Sequence, residues 1–142
     1  MISLIRMSLL YIVLGLSAGQ ALADSVIVSL DVKAQAINKN FLLAAFAMRI
    51  TRWPDGRPIR VFVLPDRHPL HQRFVKQRLQ VFPYQLRNNW DRQVFTGTGA
   101  FPVTVDNMEE MYRMVSQTEG SIGYIADSVK LSPEKVRVVD EF

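Results

Sequence analysis

Apolar positions along this chain follow two rhythms. Short β-branched runs predict strands, and apolar residues three or four apart predict helices. Residues 25–30 (SVIVSL) read as an opening strand. A helix beginning near Phe41, capped by Asn38, is marked by Phe41, Leu42, Ala45, Met48 and Arg49 at helical spacing. Trp53-Pro54-Asp55-Gly56 then breaks the chain with turn-forming residues, and residues 59–63 predict a second strand. A loop over 64–69 leads to a helix over 70–79 with Leu70, Phe74 and the stem of Arg78 on its inner side. A further helix over 84–94 places Leu86, Trp90 and Val94 inward, and Thr96-Gly97-Thr98-Gly99 follows as a loop. Residues 103–105 predict a short strand or extended link. Asn107 caps a helix over 108–117, Glu119-Gly120 turns the chain, and 122–126 and 136–139 are strands. This alternation predicts an α/β fold: a single three-layer domain with a small mixed sheet flanked by helices.

The first residues read differently. Residues 1–23 carry one cation, Arg6, then an apolar run, then Ala21-Leu22-Ala23. That is the pattern of a secretory signal peptide cut before Asp24. The run falls short of the ~20 apolar residues that span a bilayer. The expected division is a signal peptide over 1–23 and one domain over 24–142, exported to a bacterial periplasm. Cleavage leaves 119 of the 142 residues, enough for one domain with its own core. There is no cysteine, so packing alone must stabilise the exported domain.

Charge is unevenly placed. Arg49 to Arg92 hold ten Lys/Arg against three Asp, whereas Gln93 to Phe142 hold four bases and eight acids. A basic middle favours anionic partners such as phosphate-like ions, lipid or cell-wall polymers, although arginines on solvated helix faces give the same count. Nucleic acid does not fit, since no recognition motif is present and the aromatics do not interleave with the basic residues.

Candidate chemistry is sparse. Asp66, His68 and His71 form Asp-x-His-x-x-His, which matches no ligand spacing of a known metal site. The pair reads as a loop histidine and a histidine at a helix N-terminus, able to add charge beside Arg67 and Arg73 if they titrate near neutrality. Thr96, Gly97, Thr98 and Gly99 are either an N–H cradle for an oxyanion or a flexible connection. Neither a Gly-x-Ser-x-Gly elbow nor a cysteine nucleophile occurs. Glu109 and Glu110 sit in a first helical turn, where the helix dipole accounts for them.

Four landmarks come in order: Phe46-x-x-Arg49-x-x-Arg52-Trp53-Pro54-Asp55-Gly56, then Trp90, then Phe95-Thr96-Gly97-Thr98-Gly99 with Pro102, then Gly120-Ser121-Ile122-Gly123-Tyr124-Ile125. Together they resemble the phosphate ABC-transporter substrate-binding protein family, in particular its short periplasmic members, over residues 26–139. The resemblance implies one lobe of a type II periplasmic binding protein, because full-length members close two lobes around their ion. It implies non-covalent binding of phosphate or a related anion, with no cofactor, no metal and no enzymatic step. The partners it implies are the ion, a membrane transporter or other envelope protein, and a second copy of the chain that would cover the ion. The alternative is an envelope interaction or regulatory module that has lost solute binding.

One departure bears on the site. The family's anion loop reads Arg-Ser-Asp-Gly-Ser-Gly-Thr. The matching residues here are Leu64-Pro65-Asp66-Arg67-His68-Pro69-Leu70, which keep Asp66 and lack the Ser-Gly-Thr. An anion is therefore expected to rely on Asp66, Arg67, His68, His71 and Arg73, with Thr96 to Gly99 as a second contact.

Overall fold

The computed structural model describes residues 24–34, 36–129, 132 and 134–141. The expected leader, 1–23, lies outside the described residues. The chain runs β1 (Asp24–Ser29), β2 (Ala36–Ile37), α1 (Lys39–Phe46), β3 (Arg60–Val63), α2 (Pro69–Phe74) continued by a π-helical turn (Val75–Leu79), α3 (Pro83–Phe95), β4 (Val103–Thr104), α4 (Met108–Gln117), β5 (Ser121–Ala126) and β6 (Val136–Glu141).

The strands form one mixed sheet in the order β2-β6-β1-β5-β3-β4. β1 lies antiparallel between β5 and β6, with Ile27 opposite Gly123 on one side and Val138 on the other. β3 runs parallel to β5, pairing Val61 with Ile122, and β4 extends it with Phe62 opposite Val103. β1 and β5, the innermost strands of the sheet, are its most apolar runs. Val26, Ile27 and Val28 and all of β5 are buried, as strands covered on both faces must be.

β5 shows how the layers divide. Gly123 faces α4, where an added Cβ would stand 2.5 Å from Met111 Sδ and 3.0 Å from Val115. Glycine there admits the helix close to the sheet, and Ser121 Oγ on the same face donates to the Val115 carbonyl at 2.9 Å. Tyr124 points the other way. Its ring stacks on Phe74 at 4.0 Å and meets Phe46 at 5.8 Å, so α1 and α2 cover that face. α3 closes over them through Trp90, fully buried, whose Nε1–H donates to the Phe46 carbonyl at 2.8 Å.

The expected elements appear with three adjustments. The first helix stops at Phe46 and does not reach Arg49, because Met48 takes φ 60° in a tight turn after the Ala47 cap. Its start agrees with the cap: Asn38 Oδ1 accepts from Phe41 N–H at 2.8 Å. The helix expected over 70–79 is α only to Phe74. It then widens into the π turn, which ends at Gln80 with φ 56°. Lastly, β2 is a two-residue strand added parallel to β6 that no local pattern marks.

The Trp53–Gly56 turn is fastened to the start of β5. Trp53 Nε1–H donates to the Gly120 carbonyl at 2.9 Å, and Arg60 N–H donates to the same oxygen at 3.0 Å. Gly120 has φ +69°, and a Cβ there would fall 2.4 Å from the Pro58 carbonyl oxygen. Gly56 has φ +90° but open space around it. Gly120→Ala therefore meets both strain and a backbone clash, whereas Gly56→Ala meets strain alone. Chemical denaturation should show Gly120→Ala costing about 3 kcal/mol and Gly56→Ala about 1 kcal/mol. Equal losses would mean that the close approach at Gly120 carries no weight.

Candidate functional site

The loop after β3 lies at the carboxyl end of the parallel strands β3, β4 and β5, the position where open α/β sheets receive ligands. Pro69 occupies the first helical position of α2, and His68 caps the helix, its Nδ1 accepting from Leu70 N–H at 3.1 Å. Starting the helix there turns Leu70, His71 and Phe74 inward together.

His71 is therefore a core residue, 1% exposed. Its Nδ1 is hydrogen-bonded to the Tyr124 hydroxyl. That oxygen also accepts from Leu64 N–H at 2.9 Å. Nε2 is buried without a hydrogen-bond partner among the described residues. Burial disfavours the imidazolium, and the pKa falls to about 4 despite the opposing pull of the Asp66 carboxylate. Burial likewise pushes the Tyr124 phenol well above its usual range. At neutral pH, His71 therefore brings no positive charge to the loop.

Asp66 and Arg87 make the principal polar feature here. Arg87 Nε–H and Nη2–H donate to the two Asp66 carboxylate oxygens at 2.8 and 2.9 Å, a bidentate fork. Arg87 holds the Asp66 carboxyl below its usual range, and Asp66 raises Arg87 in turn. The guanidinium stands 5.0 Å over the Trp90 ring and 5.8 Å from the Phe101 ring, a fixed platform. Its Nη1 donates no hydrogen bond to a described residue. Arg87 was not among the residues singled out from the sequence. It lies 21 positions after Asp66, and only the packing of α3 through Leu86 and Trp90 brings it to the loop.

The other expected site residues divide. Arg67 is exposed beside Asp66, with no side-chain partner among the described residues. Arg73 is committed elsewhere, to the buried Asp24 carboxylate at 2.7 and 3.1 Å. Thr96 to Gly99 form the C-terminal cap of α3. The N–H groups of Thr96, Gly97, Thr98 and Gly99 donate to the carbonyls of Arg92, Val94, Gln93 and Gln93 respectively. Gly97 supplies φ +74° for that wrap. All four N–H groups are thus spent, and they sit at the negative end of a helix dipole, where an anion is disfavoured. No hydrogen bond or ion pair among the described residues joins this segment to residues 65–70.

No family model matches the sequence, and no curated protein matches it. Solved structures do. An ABC-type phosphate transport receptor from Vibrio cholerae superposes with TM-score 0.63 and 14% identity, covering 83% of this chain and 45% of its own. A protein from Clostridium perfringens, described as a phosphate ABC transporter substrate-binding protein and solved with bound phosphate, gives 0.64 and 17%, covering 83% and 44%. PstS from Borrelia burgdorferi gives 0.62 and 15%, covering 84% and 47%. The chain is similar in fold to one lobe of these proteins and spans less than half their length. These neighbours carry the names of transport receptors and binding proteins, not of enzymes.

His71 sets a pH dependence. Its folded pKa of about 4 lies below the unfolded 6.5, so the unfolded chain binds the extra proton in between. The stability is fully present above pH 6.5 and is lost as pH falls toward 4. The loss amounts to about 3 kcal/mol. Urea midpoints measured from pH 7 to pH 4.5 should fall accordingly in the natural protein and much less in His71→Gln. Parallel declines would exclude His71 as the source.

Proposed function

We propose that this protein is a periplasmic, single-lobe binder of phosphate or a closely related oxyanion, working with an ABC-type uptake system. The observation that carries this reading is the Arg87 guanidinium. It is gripped by Asp66 on one edge and leaves Nη1 unspent at the carboxyl end of β3, in a fold shared with phosphate receptors. Nη1 supplies two N–H donors, and the exposed Arg67 adds a mobile cation beside them. The backbone N–H groups of Asp66 and Arg67 are not spent on the loop bonds either. An exported location follows from the leader pattern of residues 1–23 and suits a protein that takes ions for import.

The site is one-sided. An ion resting there keeps part of its hydration shell, so affinity is modest until a second surface closes over it. That surface is the transporter or another copy of the chain. A second reading is favoured by the tie of Arg73 to Asp24 and by the neutral state of His71. These remove two of the cations the loop would otherwise offer, as expected of an envelope interaction module that no longer holds a solute.

Calorimetric titration with inorganic phosphate separates the two. Saturable heat is expected, and Arg87→Gln should weaken it about tenfold or more, the worth of one charged hydrogen bond. Arg60→Gln, at the opposite end of β3, should leave it unchanged. Absence of heat with both phosphate and sulfate would favour the interaction module.

A further inference from the structure

The outer edge of β3 is covered at both ends and bare between them. Residues of a strand paired in parallel turn their main-chain groups alternately to one neighbour and the other. Arg60 N–H donates to the Gly120 carbonyl at 3.0 Å, on the β5 side, so Val61 turns its N–H outward. On that outer side, Ile59 N–H is taken by the Thr51 carbonyl at 2.9 Å. β4 pairs only from Phe62 onward. The Val61 N–H falls in the gap, and it has no acceptor among the described residues. Val61 is 4% exposed, and an unpaired main-chain donor in so buried a residue is rare and costly.

This gap lies in a groove of about 640 Å³, within the size range of sites that take small organic molecules. Met48, just past α1, and Met114 of α4 line it from the two layers, and the half-exposed Phe101 and Val103 line it beside β4. Thioether side chains adapt to apolar bodies of varied shape. Arg52 lines the groove as well. Its Nη1–H donates to the Gly56 carbonyl at 2.7 Å, which holds the guanidinium in place and leaves its other donors unspent. No carboxylate of the described residues lines the groove, and Asp55 in the adjoining turn is paired with Arg57. Arg60 also lines a neighbouring groove that contains Glu119, so Arg52 is the cation this groove keeps to itself.

We propose that the groove binds a small monocarboxylic acid with an apolar alkyl or aryl body. One carboxylate oxygen accepts the Val61 N–H and the other faces the Arg52 guanidinium. The apolar body lies between Met48 and Met114 and against Phe101. An ionised acceptor on a main-chain N–H and a guanidinium forms charge-assisted hydrogen bonds, stronger than neutral ones. Inorganic phosphate would leave the apolar walls unused. An added peptide strand does not fit, because Thr51 and Val103 leave only the Val61 N–H between them. The groove opens on the amino half of β3, whereas the Asp66–Arg87 site lies past its carboxyl end. Phe101 touches both, but the polar contacts of the two are different residues, so either can fail without the other.

Titration with octanoate and with phenylacetate, followed in the backbone amide NMR spectrum, tests the proposal. A saturable downfield shift of the Val61 amide is expected with at least one acid, and the one that saturates first assigns an alkyl or an aryl body. Octylamine, with the same alkyl body and the opposite charge, should leave Val61 unmoved. Arg52→Gln should weaken binding about tenfold, the worth of one charged hydrogen bond. Ala100→Trp should fill the groove and abolish it. Both positions are exposed, and the amide spectrum reports whether each variant folds. The Val61 shift in the natural protein depends on neither variant. No shift at Val61 with either acid overturns the proposal, as does undiminished binding in Arg52→Gln. Equal binding of octylamine would reduce the groove to an apolar crevice and overturn it too. So would displacement of the acid by millimolar inorganic phosphate, which would make the groove an ion site.

Discussion

The main-chain carbonyl of Gly120 is the point on which this architecture turns. It accepts the Trp53 indole N–H and the Arg60 N–H together, fixing where β3 starts against β5. The Gly120 N–H donates to the Asp31 carboxylate at 3.0 Å, and Arg57 reaches the same carboxylate at 2.6 Å. Burial alone would raise the Asp31 pKa, but hydrogen bonds from Ser29, Gly120 and Arg57 outweigh it and hold the group below its usual range. One small junction thus joins the end of β1, the Trp-Pro-Asp-Gly turn, the start of β3 and the start of β5. The parallel register of β3 on β5 follows from it, and with that register the position of the loop that carries Asp66.

On that frame the two faces of the sheet are specialised by single residues. Gly123 lets α4 lie close, and Tyr124, one position on, reaches the opposite layer. The Tyr124 hydroxyl accepts the Leu64 N–H and bonds His71, linking β5, the exit of β3 and α2 through one oxygen. The chain has no cysteine, and these buried hydrogen bonds pin the loop geometry where a cross-link is absent. The position of Asp66 rests on this chain of contacts before it is drawn to Arg87.

Much of the fold was legible because the signals are local. The apolar runs of β1 and β5, the Asn38 and Asn107 caps and the Trp53–Gly56 turn each announce themselves within a few residues. The left-handed turn at Met48 did not, because the apolar spacing continues through it while the backbone departs. β2 exists only because β6 is beside it. The site was half legible. Asp66 followed from the motif alignment, but Arg87 comes from a different helix and depends on how Trp90 seats that helix. His71 read as a histidine at a helix N-terminus able to add charge, but one residue of shift in the helix start decides whether it faces water or the core, and it is buried. Pro69 makes that decision. Thr96 to Gly99 carry the composition of an anion cradle, yet the same glycines serve a helix end, and only the direction of their N–H groups separates the two roles.

Both margins of the sheet close on strands two residues long, β2 at one side and β4 at the other. A long bare edge offers a row of unpaired backbone groups on which neighbouring molecules can add strand by strand. Here β2 covers only Asp140 and Glu141 of β6, and β4 only Phe62 and Val63 of β3, so the outer edge of β6 over residues 136–139 has no strand partner among the described residues. That stretch of β6, rather than either two-residue end strand, is where a strand from another molecule would add.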